Sequence, residues 1–270
     1  MPHVGTRKKK VAVIPGDGIG VEVIREAVKV MGATGAAVAT TEFDWGSEKY
    51  LREGVTLPAG ALTMLRENFD TILVGAFGDL RVPDNRPAAD ILLGMRFHLD
   101  LYANVRPARL LDRRLCPLRE AAEEDVNFTV IRENTEGLYA GVGGNFKKDT
   151  PDEVATQEDV NTRKGVERVI RYAYEYARGR KIPRLVMSDK SNVLTYGHGL
   201  WQRVFGQVRQ EYPEIESRHL YADTLAMEMV LRPSQFGVIV TCNMFGDILT
   251  DLAAALEGGL GMVEIGRAHV

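Results

Sequence analysis

Short apolar runs rich in β-branched residues alternate along this chain with segments whose apolar positions recur every three to four residues. The runs VAVI (11–14), TILVGAF (71–77), FTVIRE (128–133), LVMSDKS (185–191) and GVIVTCN (237–243) predict buried strands. Between them, Val23, Ile24, Ala27, Val28 and Met31 fall on one helical face. Val166, Val169, Ile170, Ala173, Tyr174 and Ala177 do the same in a later helix, with Gly179 placed to end it. Strand and helix in alternation predict an α/β fold with a largely parallel sheet. The polar stretch 143–157 predicts an exposed loop or a protruding hairpin arm. No internal repeat, low-complexity segment or linker-like stretch interrupts the pattern.

Composition narrows the function classes. With 270 residues, 45% of them hydrophobic and 26% charged, the chain can bury a core without disulfides or a structural metal. Its 34 basic and 37 acidic residues give a net charge of -3, no electrostatic footprint for nucleic acid. No apolar run approaches the roughly 20 residues of a membrane helix. The apolar stretch after the basic start, Val11 to Ile14, is too short for a signal peptide, so residues 7–10 read as a solvated lead-in to the first strand. Cys116 and Cys242 are the only cysteines, which argues against a disulfide framework and fits the cytoplasm; both are expected to be buried thiols.

Several stretches carry chemistry. Ile14-Pro15-Gly16-Asp17-Gly18-Ile19-Gly20 follows a strand and opens a helix, but its glycines are not spaced as in the dinucleotide fingerprint. Read alone it is a tight turn or a ligand loop. Arg96, Arg106 and Arg132 each end an apolar segment, so they either converge on a multi-carboxylate ligand or pair with internal acids. Asp247 and Asp251 stand four apart on a predicted helix and share a face. They suit a hard cation such as Mg²⁺ or Mn²⁺, or form a solvated pair; Asp223 is a third acid in an apolar setting. Lys190 closes a strand and is placed as a base or a surface lysine; Tyr139 is a proton donor or an ordinary half-buried tyrosine. His98, His198 and His219 lack metal-ligand spacing and read as structural, and Trp45 and Trp201 as packing residues.

Taken in order, IPGDGIG, NVRP, RENTEGLY, SDKSNV, Asp223 and CNMFGDILTDL closely resemble the β-decarboxylating dehydrogenases, over residues 11–262. That family acts on 3-isopropylmalate, isocitrate, homoisocitrate and tartrate or D-malate. The resemblance implies a two-domain isopropylmalate/isocitrate dehydrogenase-like α/β fold, a homodimer whose active site is shared between subunits, and metal-assisted oxidation and decarboxylation of a 2R-hydroxy acid by NAD or NADP. It implies Arg96, Arg106 and Arg132 as the substrate clamp and Asp223, Asp247 and Asp251 as metal ligands, Asp223 coming from the neighbouring subunit. It further implies Lys190, also from the neighbour, as the base on the C2 hydroxyl and Tyr139 as the acid that protonates the enol. Ile19 and Asn192 are the implied cofactor contacts. The chemistry requires each role: a base for the hydroxyl proton, a Lewis acid to polarise the ketone, arginines to orient the scissile bond, and an acid for the carbon.

Residues before LLGMR read the C3 substituent in that family. Here Leu92 and Leu93 resemble the surface offered to an alkyl group, although Ala89 stands where a glutamate is usual and RENTEGLY is more typical of the isocitrate and tartrate branches. The expected substrate is 3-isopropylmalate, with D-malate/tartrate or isocitrate as alternatives; a non-catalytic regulatory or truncated binding protein is the rival of another class. The expected domains are 1–103 on the cofactor side, 104–254 for dimerisation, metal and substrate, and 255–270 beginning a return to the first. The family's following segment, with a motif like EPVHGSAPDI, is not in this sequence, so the last part of the first domain is expected to be missing and the fragment inactive. The stretch EIGRAHV (264–270) reads like a translated sequencing-library adapter and is expected to be an artefactual tail.

Overall fold

A computed structural model describes residues 7–119, 122–263 and 265–268. Residues 1–6 of the basic start, and Glu264, His269 and Val270 of the expected tail, lie outside the described residues. The chain divides into two compact units, Met1–Asp100 and Leu101–Val270.

In the first unit, β1 (Lys9–Ile14), β2 (Val38–Glu42) and β3 (Thr71–Val74) form a parallel sheet in the order β2-β1-β3. Four consecutive residues of β1, Val11 to Ile14, are buried, as expected for a central parallel strand covered on both faces. Helices α1 (Ile19–Ala33), α2 (Ser47–Glu53) and α3 (Ala61–Asn68) connect these strands. Ile24 of α1 packs on Val11 and Val13, with Val28 and Met31 at the margin. Val23, predicted on the same face, is instead 49% exposed, so the buried stripe is narrower than the periodicity suggests. The strand predicted over 71–77 stops at Val74. The unit closes with α4 (Arg86–Ala88), a π turn at Ala89–Leu93 and α5 (Gly94–His98).

The second unit holds β4 (Ala103–Arg109), β5 (Asn127–Glu133), the hairpin β6 (Gly143–Phe146) and β7 (Val154–Gln157), α6 (Arg163–Gly179), β8 (Arg184–Asp189), α7 (Gly197–Val208), β9 (Glu216–Tyr221), α8 (Ala222–Leu231), β10 (Val238–Thr241), α9 (Asn243–Glu257) and β11 (Gly266–Ala268). Its six-stranded sheet runs β11-β4-β5-β10-β8-β9, parallel from β5 to β9 and antiparallel at β4 and β11. Neighbouring residues of each strand face opposite layers, the period-2 rule. Ile131, Leu185 and Met187 pack under α6 and α7 with Trp201, while Val130 and Val186 pack under α8 and α9 with Met229 and Leu249. All six predicted face residues of α6, from Val166 to Ala177, are fully buried. The hairpin stands apart as a two-stranded sheet with every strand residue exposed, the arm among the two sequence alternatives. Helix α9 runs to Glu257, and β11 hydrogen-bonds along the edge of β4, satisfying backbone groups there.

Register decides where chemistry collects. Arg132 lies level with Thr241, Thr241 with Ser188, and Ser188 with Leu220. The carboxyl ends of four parallel strands therefore finish together, and the residues that follow them emerge along one sheet edge. That edge is where ligands bind in parallel α/β sheets.

Candidate active site

The turn between β1 and α1 is built around two close approaches. A Cβ on Gly16 (φ 76°) would sit 2.1 Å from the Ala76 carbonyl oxygen, and one on Gly20 would sit 2.6 Å from the same oxygen. Packing of the turn against residues after β3 thus requires both glycines. Asp17, which is buried and to which no role was assigned from sequence, ties the turn down. It accepts hydrogen bonds from the Ser47 backbone N–H (2.6 Å), the Ser47 hydroxyl (2.7 Å) and the Gly78 N–H (3.2 Å). The available signal was a carboxylate set among glycines at the end of a buried strand. Gly18 faces open space, and Ile19 beside it is 67% exposed. Also in this unit, Leu92 is half-buried and Leu93 exposed on the π turn, and Arg96 is buried on α5. A π turn inside a helix often accompanies a functional site.

In the second unit, β5 carries Arg132 to the sheet edge, where its guanidinium meets the start of α9. Nε (3.0 Å) and Nη2 (2.7 Å) donate to Asn243 Oδ1, and Nη1 donates to Asp247. The Asn243 amide is oriented in turn by donating to the Glu136 carbonyl at 3.0 Å. Gly137 (φ 76°) then turns the chain so that Tyr139 returns to α9 and donates from Oη to Asp247 Oδ2 at 2.6 Å. The Tyr139 ring lies 5.2 Å from the Arg132 guanidinium carbon. Arg106 of β4 donates to the Thr250 hydroxyl at 3.2 Å, while its buried Nε has no hydrogen-bond acceptor. Burial lowers the Arg106 pKa, and the nearby Arg132 charge adds to this against Asp247 and Asp251. Arg267, given no weight in the sequence reading, has its pKa lowered by burial and by Arg106 and Arg132. A cluster of partly desolvated arginines with an orphaned donor is chemistry for an anionic ligand.

A second group forms where β8 and β9 end. Lys190 Nζ lies 2.8 Å from Asp223 Oδ1, and this bond holds the Asp223 carboxyl below the ordinary carboxylate range. Asp223, in the first turn of α8, and Asn192, two residues after Lys190, are both exposed. Burial pushes the pKa of neighbouring Asp189 up, but hydrogen bonds from His219 and the Ser191 N–H outweigh it, and the carboxyl stays below its ordinary range.

The donor chemistry of α9 fits a hard divalent cation in part. Asp247 and Asp251 present carboxylates one turn apart, both accessible to solvent. Among the described residues no group of three His, Cys, Asp or Glu gathers, so Asp223 does not join them within this chain. Of the remaining sequence-predicted residues, Trp45, Trp201 and His198 are buried. Cys242 is buried, and burial pushes its thiol up to about 12. Cys116, expected to be buried, is only half-buried, because it lies in an irregular surface segment after Leu115.

Comparison with known proteins bears on this arrangement. A sequence model of the isocitrate/isopropylmalate dehydrogenase family matches residues 10–266. The 3-isopropylmalate dehydrogenase of Thermobifida fusca is 46% identical over 98% of this chain and 76% of its own length. That of Corynebacterium kroppenstedtii is 49% identical over 96% of this chain and 76% of its own. The crystal structure of isocitrate dehydrogenase from Methylococcus capsulatus superposes with a TM-score of 0.82 at 37% identity, covering 97% of this chain and 74% of that one. Likeness of this extent in both sequence and fold establishes that the chain belongs to the isocitrate/isopropylmalate dehydrogenase family.

Proposed function

We propose that the full-length protein oxidises and decarboxylates a 2R-hydroxy acid of the 3-substituted malate type, with 3-isopropylmalate as substrate, NAD or NADP as coenzyme and Mg²⁺ or Mn²⁺ as metal. One observation carries the reading: the polar and charged residues fall into two groups at one sheet edge, Arg106, Arg132, Tyr139 and Asp247 in one, Lys190 and Asp223 in the other. In a symmetric homodimer, each active site takes the first group from one subunit and the second from its partner. Asp223 of one chain then completes the ligand set that Asp247 and Asp251 of the other begin. The exposed arm, with Phe146 at 66% and Val154 at 51%, supplies apolar surface for such a pairing.

Each residue then has a task. Arg106 and Arg132, with Arg96 of the first domain, hold the substrate carboxylates, and the orphaned Nε of Arg106 gains an acceptor. Leu92 and Leu93 receive the alkyl substituent. When bound, the cation supplies Lewis acidity at the C2 oxygen and the nicotinamide, beside Ile19 and Asn192, supplies the oxidising power. Lys190 takes the proton of the C2 hydroxyl, and Tyr139 returns a proton to carbon once CO₂ has left. Residues 1–103 are the N-terminal part of the cofactor-side domain and 104–254 the domain of dimerisation, metal and substrate, and the setting is the cytoplasm. Among the described residues no helix is long and apolar enough to cross a membrane.

The test mixes two inactive full-length variants, Lys190→Ala and Asp247→Asn, after dissociation and reassembly. Sharing of the site predicts recovery of roughly a quarter of wild-type turnover, because half the dimers are mixed and each mixed dimer holds one intact site. A mixture as inactive as its components refutes the shared site.

A further inference from the structure

Lys190 is held by more than its ion pair. Its carbonyl accepts hydrogen bonds from the N–H groups of Val193 (3.0 Å) and Leu194 (2.8 Å), and its own N–H donates to Nδ1 of His198 at 2.8 Å. His198 sits in the first turn of α7, is 1% exposed, and its backbone N–H bonds to the Leu194 carbonyl. A backbone N–H can only donate, so Nδ1 must be bare, and the ring proton of the neutral imidazole belongs on Nε2. Nε2 faces Asp159, whose Oδ2 is 3.5 Å away. Asp159 is fixed by Asn161, whose Nδ2 donates to that same oxygen at 2.9 Å while its Oδ1 accepts from the Trp201 indole at 2.8 Å. The Phe245 ring closes the pocket edge-on at 5.7 Å, two residues before Asp247 on α9. A Cβ on Gly197 would strike Asn161 Nδ2 at 2.7 Å, so the entry to α7 is shaped around this chain of contacts.

We propose that His198 is a positioning residue for the reaction: through the bare Nδ1 it fixes the backbone of Lys190 and so the point from which the lysine side chain reaches the substrate hydroxyl. The inference rests on the assignment of Lys190 as the base. Of the two other groups seen against the ring, Asp159 lies on the opposite nitrogen and Phe245 is apolar, so neither offers an acceptor to that N–H. Without Nδ1, the turn after β8 keeps its carbonyl bonds but loses the one that sets the lysine's own peptide plane.

Two substitutions separate this role from simple packing. In His198→Asn the amide oxygen takes the place of Nδ1, and in His198→Gln the amide takes the place of Nε2. In the full-length enzyme, His198→Gln is expected to lower kcat roughly 10- to 100-fold, with substrate KM changed by less than about threefold, and His198→Asn to restore most of the loss. A purely structural histidine predicts equal losses in the two variants, tracking their melting temperatures, and that result overturns the proposal. Lys190→Ala is assayed alongside. If it keeps its kcat, the base assignment fails and the proposal with it. If it loses activity while the two His198 variants match each other, the base assignment stands and the proposal alone fails. Should either variant not fold, ring ¹⁵N spectra of the wild-type protein decide: Nε2 protonated and Nδ1 bare supports the proposal, and the opposite tautomer overturns it.

Discussion

Replacing Gly246 with alanine probes whether the surface of α9 sets the position of Arg132. A Cβ there would stand 2.5 Å from Cγ, 2.7 Å from Cβ and 3.0 Å from Cδ of that arginine. These atoms are the root of the side chain and cannot swing aside as its tip could. Ordinary contact begins at 3.4 Å, so the stem must retreat by about 0.9 Å. The bonds to Asn243, now 3.0 and 2.7 Å, then stretch to or beyond bonding distance. In a helix with free space, Gly to Ala stabilises by about 1 kcal/mol. Overpacking costs about 1–3 kcal/mol, so the net effect is a loss of up to about 2 kcal/mol. For catalysis, displacing a substrate-holding group by this distance lowers kcat/KM on the order of 10²-fold. Gly206, in α7, has nothing within 4 Å of its would-be Cβ and serves as the control. Gly206→Ala is expected to raise Tm slightly and leave the kinetics alone. Thermal unfolding and steady-state kinetics on both full-length variants provide the comparison. A Gly246→Ala enzyme with raised Tm and unchanged kcat/KM would falsify the reasoning.

Three further outcomes follow from the same geometry. Asp17→Ala strips a buried carboxylate from three donors and is expected to cost about 2–4 kcal/mol in urea unfolding; a loss below about 1 kcal/mol contradicts the bracing role. With its thiol pushed up to about 12 and fully buried, Cys242 stays protonated at pH 8, and thiolate appears only as the pH approaches that value. A disulfide reagent at pH 8 should therefore label Cys116 in the folded protein and both cysteines after unfolding; early labelling of Cys242 counts against its burial. Removal of divalent cations by EDTA should abolish turnover until Mg²⁺ or Mn²⁺ is restored, and Asp251→Asn should raise the metal concentration for half-maximal rate by at least about tenfold. Full activity in EDTA excludes the proposed metal role.

Much of the second unit was legible because β5, β8 and β10 are buried on both faces and read as continuous apolar runs, and α6 has an uninterrupted buried stripe. The edge strands were not. β9, ESRHLY, has only one neighbour in the sheet and half-exposed or exposed side chains throughout, so no apolar run announces it. β4 carries Arg106 and Pro107 and pairs antiparallel, which neither periodicity nor alternation reveals. The i, i+4 spacing of Asp247 and Asp251 and the strand-end position of Lys190 were readable because they depend on local geometry alone. Arg132 shows the limit: its meeting with Asn243 and Asp247 spans more than a hundred residues and depends on the register between β5 and β10. The same holds for His198, whose bond to Lys190 is local in sequence but depends on how the turn before α7 folds back.

The full-length protein, with Mn²⁺ present, should be assayed for kcat/KM against 3-isopropylmalate, isocitrate, D-malate and tartrate, each with NAD and with NADP. 3-Isopropylmalate is expected to lead, by about 10-fold or more, since burying its alkyl group on Leu92 and Leu93 is worth about 1–3 kcal/mol in discrimination. A lead by isocitrate, D-malate or tartrate, or turnover of none of the four, contradicts it.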